Sequence, residues 1–155
     1  MRLFIFTIII LFPLNSYACS CGESTDIKDQ FKRAYSVVLA EVTGSKLVKT
    51  SYNGHDVEYI VADIDIIKTF KKSKKPVTQV IDLVPDTGNC SIVLVSGMEY
   101  IFFVDNGIED ESQEIGNDKR LGANNYVGRC TGSHLVNIYH KSFKEEEMLL
   151  NQMAN

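Results

Sequence analysis

The stretch "ACSCGES", Ala18 to Ser24, sets two cysteines one residue apart directly behind an apolar N-terminus. Four uses for the sulfurs compete: a metal site, a redox pair, a lipid anchor or a structural staple. The preceding residues, "MRLFIFTIIILFPLNSYA" (1–18), read as a signal peptide. Arg2 supplies the positive start, Leu3 to Leu14 the apolar run, and Ser16-Tyr17-Ala18 the small-x-small cleavage pattern. The run is short for a membrane span, and Pro13 interrupts it. Cleavage after Ala18 is therefore expected to leave one domain, residues 19–155, starting at Cys19 and secreted or periplasmic. Lipoprotein anchoring at Cys19 is disfavoured, because a lipobox has Leu where this chain has Ser16.

The sequence holds four cysteines: Cys19, Cys21, Cys90 and Cys130. An even count in an exported chain predicts two disulfides. A bridge between Cys19 and Cys21 would be strained at normal Cα separations. Each then reaches Cys90 or Cys130, and spacing alone leaves both connectivities open. The closed loops hold roughly 70 to 110 residues, worth about 4–5 kcal/mol per bridge as an upper estimate.

Other chemistries find little support. His55, His134 and His140 show no ligand spacing, and the CxC lacks a second paired cluster, so no metal site or cofactor is expected. No CxxC sits on a βαβ pattern and no G-x-S-x-G is present, so the protein is not expected to be an enzyme. The net charge of −4 argues against nucleic acid as a partner. The basic patch "KTFKKSKK", Lys68 to Lys75, reads as a solvated turn. Nothing such as a heptad seam argues for assembly, and a monomer is expected.

Along the mature chain, Ile27, Phe31 and Ala34 recur at helical spacing, with Ser24 or Thr25 as N-cap. "YSVVLAEVTG" predicts a strand ending at Gly44. Asn53-Gly54 is a hairpin signal. Val57, Tyr59, Val61, Ile64 and Ile66 alternate, with a slip at Ala62-Asp63 that suggests a bulge there. Val77 to Val84 alternates again, and a Ser96-Gly97 turn precedes the strand "EYIFFV". Residues 106–125 read as a long surface loop. "NYVGRC" then delivers Cys130 on a last short strand. A C-terminal helix is expected over about 133–152, with Leu135, Ile138, Tyr139, Leu149 and Met153 near one face and Ser142…Glu145 as a capping box. Closely spaced strands without alternating long helices predict a mainly β domain, a small closed barrel of the five-stranded OB type.

The ordered set "CSC", "AYSVVLAEVTGSK", "VEYIVADIDIIKTFKK", "NCSIVLVSGMEYIFFV" and "GRCTG" resembles the N-terminal domain of the tissue inhibitors of metalloproteinases (TIMPs), within the netrin-like module family. The resemblance spans roughly Cys19 to His134. It is to a minimal, single-domain, bacterial-type version. The family's third disulfide, its Pro-x-His-Pro segment after the CxC and its cysteine-rich second domain have no counterpart here.

The resemblance implies an OB barrel with flanking helices and the pairing Cys19–Cys90 and Cys21–Cys130. It also implies a function. The free amine and carbonyl of Cys19 would chelate the catalytic zinc of a partner protease, and Ser20 would enter its specificity pocket. Cys21, Gly22, Asn89, Cys90, Ser91 and the turn at Asn53 would complete the contact. Such a chelate fills the open position that catalytic zinc keeps for water. Netrin-like modules that inhibit nothing supply the alternative, an extracytoplasmic protein-binding module.

Overall fold

Each element forms where the chain can satisfy its backbone and bury an apolar stripe. A computed structural model describes residues 21, 26–52, 55–84, 91–105, 125–136 and 141–154. Helix α1 spans Ile27–Arg33. Its N-cap is Asp26, not Ser24 or Thr25; the Asp26 carboxylate accepts from the Lys28 N–H at 2.8 Å. Asp29 in its first turn and Lys32 and Arg33 in its last complement the helix dipole.

Strands β1 (Ser36–Tyr52) and β2 (His55–Lys71) form a long antiparallel hairpin, paired out to Tyr52 and His55. The turn expected at Asn53-Gly54 lies outside the described residues. β1 does not stop at Gly44, because pairing with β2 continues through and past it. The expected bulge is displaced too. The register leaves Thr43 as the extra residue on β1, opposite Asp63 and Ile64, and leaves Ile67 and Phe70 as extra residues on β2. Ile60, Ala62 and Ile64 stay on one face of β2, while Tyr59 and Val61 pack on the other. The slip seen in the sequence therefore reflects two partly covered faces rather than a break in β2.

β3 (Gln79–Leu83) pairs antiparallel with β2, and β4 (Glu99–Val104) antiparallel with β1. β5 (Tyr126–Val127) runs parallel to β3. A short 3-10 turn, Arg129–Thr131, carries Cys130. β6 (His134–Leu135) then pairs with β4. The sheet order is β5-β3-β2-β1-β4-β6, and a single bridge, Asp105 to Tyr126, links the end of β4 to β5. The result is a curled, six-stranded half-barrel.

The first half of β1, through Val42, and β4 are covered on both faces, which is why "VVLA" and "YIFFV" read as continuous apolar runs. Val38, Ala40, Val42, Tyr100, Phe102 and Val104 form one cluster, closed by Leu94. Val37, Leu39, Ile101 and Phe103 form the other, beneath both helices.

Helix α2 spans Lys141–Ala154, so the C-terminal helix starts later than the sequence suggests. Residues 133–136 serve β4 instead. The Phe103 N–H donates to Ser133 Oγ at 2.9 Å, His134 and Leu135 pair with Ile101 and Tyr100, and the Val136 N–H donates to the Glu99 carbonyl. Closing that strand edge outweighs the local helical pattern. Leu135 is consequently exposed on β6, and Ser142 lies inside the helix rather than before it. Ile138 and Tyr139 lie outside the described residues. Leu150, not Leu149, is the fully buried residue of α2, with Phe143 and Met153 beside it.

The basic patch is not simply a solvated turn. β2 runs to Lys71, whose ammonium donates to the carbonyls of Phe31, Lys32 and Ala34 at 2.9, 2.9 and 2.6 Å. It caps the C-terminal end of α1 and lies over the Phe31 ring. Desolvation lowers its pKa. Lys68 pairs with Glu147 of α2 at 2.7 Å.

Candidate functional site

The second cysteine of the CxC is bonded to the 3-10 turn: Cys21–Cys130 has an S–S length of 2.08 Å and a Cα–Cα distance of 5.2 Å. The turn is built by short-range hydrogen bonds. Thr131 Oγ1 donates to the Gly128 carbonyl at 2.8 Å and accepts from the Gly128 N–H at 3.1 Å. Gly132 follows at φ +97°, and the buried Gln30 side chain of α1 fills the space where a Cβ would stand, 2.4 Å from Oε1. The turn thus sits on α1 as well as on β4.

His134 ties the same region to α2. Its Nδ1 lies 2.7 Å from the Gly132 carbonyl and its Nε2 lies 3.0 Å from Glu146 Oε2. Both partners accept, so the protonated ring can donate to both at once. The Glu146 hydrogen bond raises the His134 pKa, against desolvation, and the Gly132 carbonyl adds to the rise. A cavity of about 240 Å³ opens beside the disulfide, lined among others by Cys21, Arg33, Phe103, Asp105 and Cys130.

The segment after Cys90 is held differently. Residues 91–95 form no regular element, yet they are pinned from two strands. Asp82 of β3 is 1% exposed. Its carboxylate accepts from Ser91 Oγ, from the Ile92 N–H at 3.0 Å and from the Val93 N–H. The Val93 N–H also lies 3.1 Å from Ser91 Oγ. Val93 takes φ +57°, the left-handed region that a β-branched residue normally avoids. That conformation turns successive N–H groups toward one point, the nest geometry that holds anions. Burial pushes the Asp82 carboxyl up, and the three hydrogen bonds pull it part of the way back. From β4, the Tyr100 hydroxyl donates to the Val93 carbonyl at 2.8 Å and accepts from the Val95 N–H at 3.0 Å.

Of the residues singled out in the sequence, Cys21 is half-buried in the disulfide and Ser91 is buried with its hydroxyl committed to Asp82. Cys19, Ser20, Gly22, Asn53, Asn89 and Cys90 lie outside the described residues, and so does the expected Cys19–Cys90 bridge. The ladder brings the two ends of the predicted site toward one place: Asp82, which holds Ser91, pairs with Val127, three residues before Cys130. Sequence reasoning missed Asp82, Tyr100 and Gln30. Asp82 left one signal, a carboxylate two residues after Val80 in an alternating strand and hence on its buried side.

Among the described residues no group of three or more His, Cys, Asp or Glu is placed to hold a metal, and no helix is long and apolar enough to cross a membrane. No protein-family model matches the chain, and no curated protein matches it.

Proposed function

We propose that the chain is an extracytoplasmic, TIMP-like inhibitor of a zinc metalloendopeptidase, built on an OB-like barrel of the netrin-like type. The observation that carries this reading is the Cys21–Cys130 disulfide. It fastens the second cysteine of the CxC to the turn after β5, as the resemblance implies, and leaves Cys19 two residues away. The barrel reading draws support from the order β5-β3-β2-β1-β4, the parallel β3–β5 pair and the Asp105–Tyr126 bridge. In this reading β6 is an addition on the outer edge of β4 to a five-stranded, partly open barrel.

In this reading the Cys19 amine and carbonyl oxygen displace water from the target's zinc. The amine must be neutral to donate, and its reference pKa is about 7.7–8.0. Binding then releases a proton and weakens in acid. Ser20 enters the specificity pocket. Ser91 contributes through its backbone, since its hydroxyl is engaged by Asp82.

The test is one extra alanine before Cys19 in the mature protein. We expect inhibition of a zinc metalloprotease to fall by about 100-fold or more, because the chelate loses its terminal amine. Undiminished inhibition would reject the chelate. A second reading, a non-inhibitory netrin-like binding module, is favoured by the exposed Val93, Val95 and Met98 around the Ser96-Gly97 turn. It expects partner binding to survive the same extension.

A further inference from the structure

The end of α1 and the connection between β2 and β3 lie 40 residues apart in sequence, yet they meet at two points. The Lys71 ammonium donates to the Lys32 carbonyl at 2.9 Å, and the Lys75 N–H lies 3.3 Å from the Tyr35 hydroxyl. Four exposed lysines are thereby gathered: Lys32 in the last turn of α1, and Lys72, Lys74 and Lys75 on the connection. Arg33, also exposed, stands beside Lys32. None of the four ammonium groups is in an ion pair with a described residue, whereas Lys49 pairs with Glu58 and Lys68 with Glu147. The acids of α1 sit at its other end, Asp26 as the N-cap and Asp29 in the first turn.

The fold does not need these charges. Lys71 alone caps the carbonyls of α1. Like charges held close together repel one another, and the chain carries 20 acidic residues that could have offset them. A cluster of uncompensated cations on a chain of net charge −4 creates a local positive field suited to an anionic partner. Two features favour a phospholipid surface over a single polyanionic chain. The cluster is compact: Lys72 and Lys75 are three residues apart, a span of about 10 Å at most, rather than a track along a strand. Its four unpaired cations are lysines, point charges on flexible stems that suit mobile headgroups, where fixed bidentate recognition would favour arginine. Clusters of about four to eight such cations are the usual means of holding a protein on an anionic bilayer. No helix among the described residues is long and apolar enough to cross a membrane, so the contact is with the surface.

We propose that Lys32, Lys72, Lys74 and Lys75 form a docking surface for the headgroups of an anionic phospholipid bilayer. Lys71 organises that surface by tying the connection to the end of α1. The proposal is independent of the inhibitor reading: it concerns where the protein is held, not what its N-terminus binds.

The experiment sediments the mature protein with vesicles of phosphatidylcholine mixed with phosphatidylglycerol, and with vesicles of phosphatidylcholine alone. Two triple variants carry the same change in net charge. Lys72→Gln/Lys74→Gln/Lys75→Gln removes the cluster, and Lys46→Gln/Lys49→Gln/Lys144→Gln removes lysines from the far part of β1 and from α2. The native protein is expected to bind the mixed vesicles, to ignore the neutral ones and to be released by about 1 M salt. At about fivefold per lysine, the cluster variant is expected to bind about 100-fold more weakly, and the control variant to stay within about threefold of the native protein. Equal losses in the two variants would overturn the proposal, because net charge alone would then account for binding. A native protein that binds neither vesicle, or both equally, would overturn it too. Retention on dextran sulfate without binding to mixed vesicles would assign the cluster to a polysaccharide instead and reject the bilayer. If the cluster variant fails to fold, Lys32→Gln/Lys74→Gln takes its place: a loss of about 25-fold supports the proposal, and unchanged binding overturns it.

Discussion

The turn around Gly132 and the segment around Val93 both need a residue at positive φ, and they meet the need in opposite ways. At φ +97°, Gly132 uses the residue type that bears no penalty there, and the Gln30 side chain occupies the space a Cβ would take. At φ +57°, Val93 uses a type that strongly resists the conformation. The first region is assembled from sterics and hydroxyl hydrogen bonds that suit its residues locally. The second is imposed from outside by Asp82 and Tyr100, side chains that come from β3 and β4. Local agreement produces stability, whereas imposed conformation marks a place where something other than stability set the sequence.

The largest expected effect tests the Gly132 side of this contrast. Gly132→Ala places a methyl group within 2.4 Å of Gln30 Oε1 and forces a non-glycine residue to positive φ. We expect a loss of about 3 kcal/mol, read by urea unfolding. Adding Gln30→Ala should recover the steric share and leave the backbone share, so the double variant falls between the two. A Gly132→Ala protein as stable as the native one would break the comparison at its firmer end.

The Val93 side predicts the opposite sign. Val93→Gly relieves a left-handed β-branched residue, worth about 1–2 kcal/mol, against about 0.5–1 kcal/mol of added chain entropy in the unfolded state. The Val93 side chain is 58% exposed, so little packing is lost. We expect a change within about 1 kcal/mol, neutral or stabilising, in the same unfolding assay. A clear loss of stability would show that Val93 is held by packing rather than by the Asp82 nest.

What was legible in the sequence follows the same division. Helix α1, the doubly buried first half of β1, β4 and the Ser96-Gly97 turn are written in local patterns and lie where those patterns predict, whereas β1 runs on past Gly44 because β2 pairs with it. Residues 133–136 carry a helical pattern yet pair with β4, because their role is set by the open edge of that strand, about thirty residues or more earlier. Lys71 looked like part of a solvated basic turn because its three carbonyl partners belong to α1, at residues 31–34. The Cys21–Cys130 pairing came only from the resemblance, since spacing left two connectivities open. Of the candidate site, the sequence marked the cysteines but not the carboxylate that organises the segment beside one of them. A buried Asp inside an alternating strand gives no sign of which backbone amides will meet it.

The smallest expected effects separate the two regions by pH. Both carry a titratable group whose pKa is raised, but for different reasons: desolvation at Asp82, the Glu146 hydrogen bond at His134. The sign is the same for both. A group with a raised pKa in the folded state contributes stability that is complete below its unfolded pKa and is lost as pH rises through the folded value. For Asp82 the window opens above its ordinary value of 3.8, so stability falls with rising pH across the acid range. For His134 it opens above 6.5, so the fall comes around neutral pH and above. The His134 side chain is 42% exposed, and solvent screening limits its share to a few tenths of a kcal/mol. Unfolding measured across both ranges should show two separable slopes. Glu146→Gln should flatten the neutral one and leave the acid one, while Asp82→Asn should do the reverse. If one substitution flattened both, residues 91–95 and the Cys130 turn would be a single coupled unit, and the contrast between them would collapse.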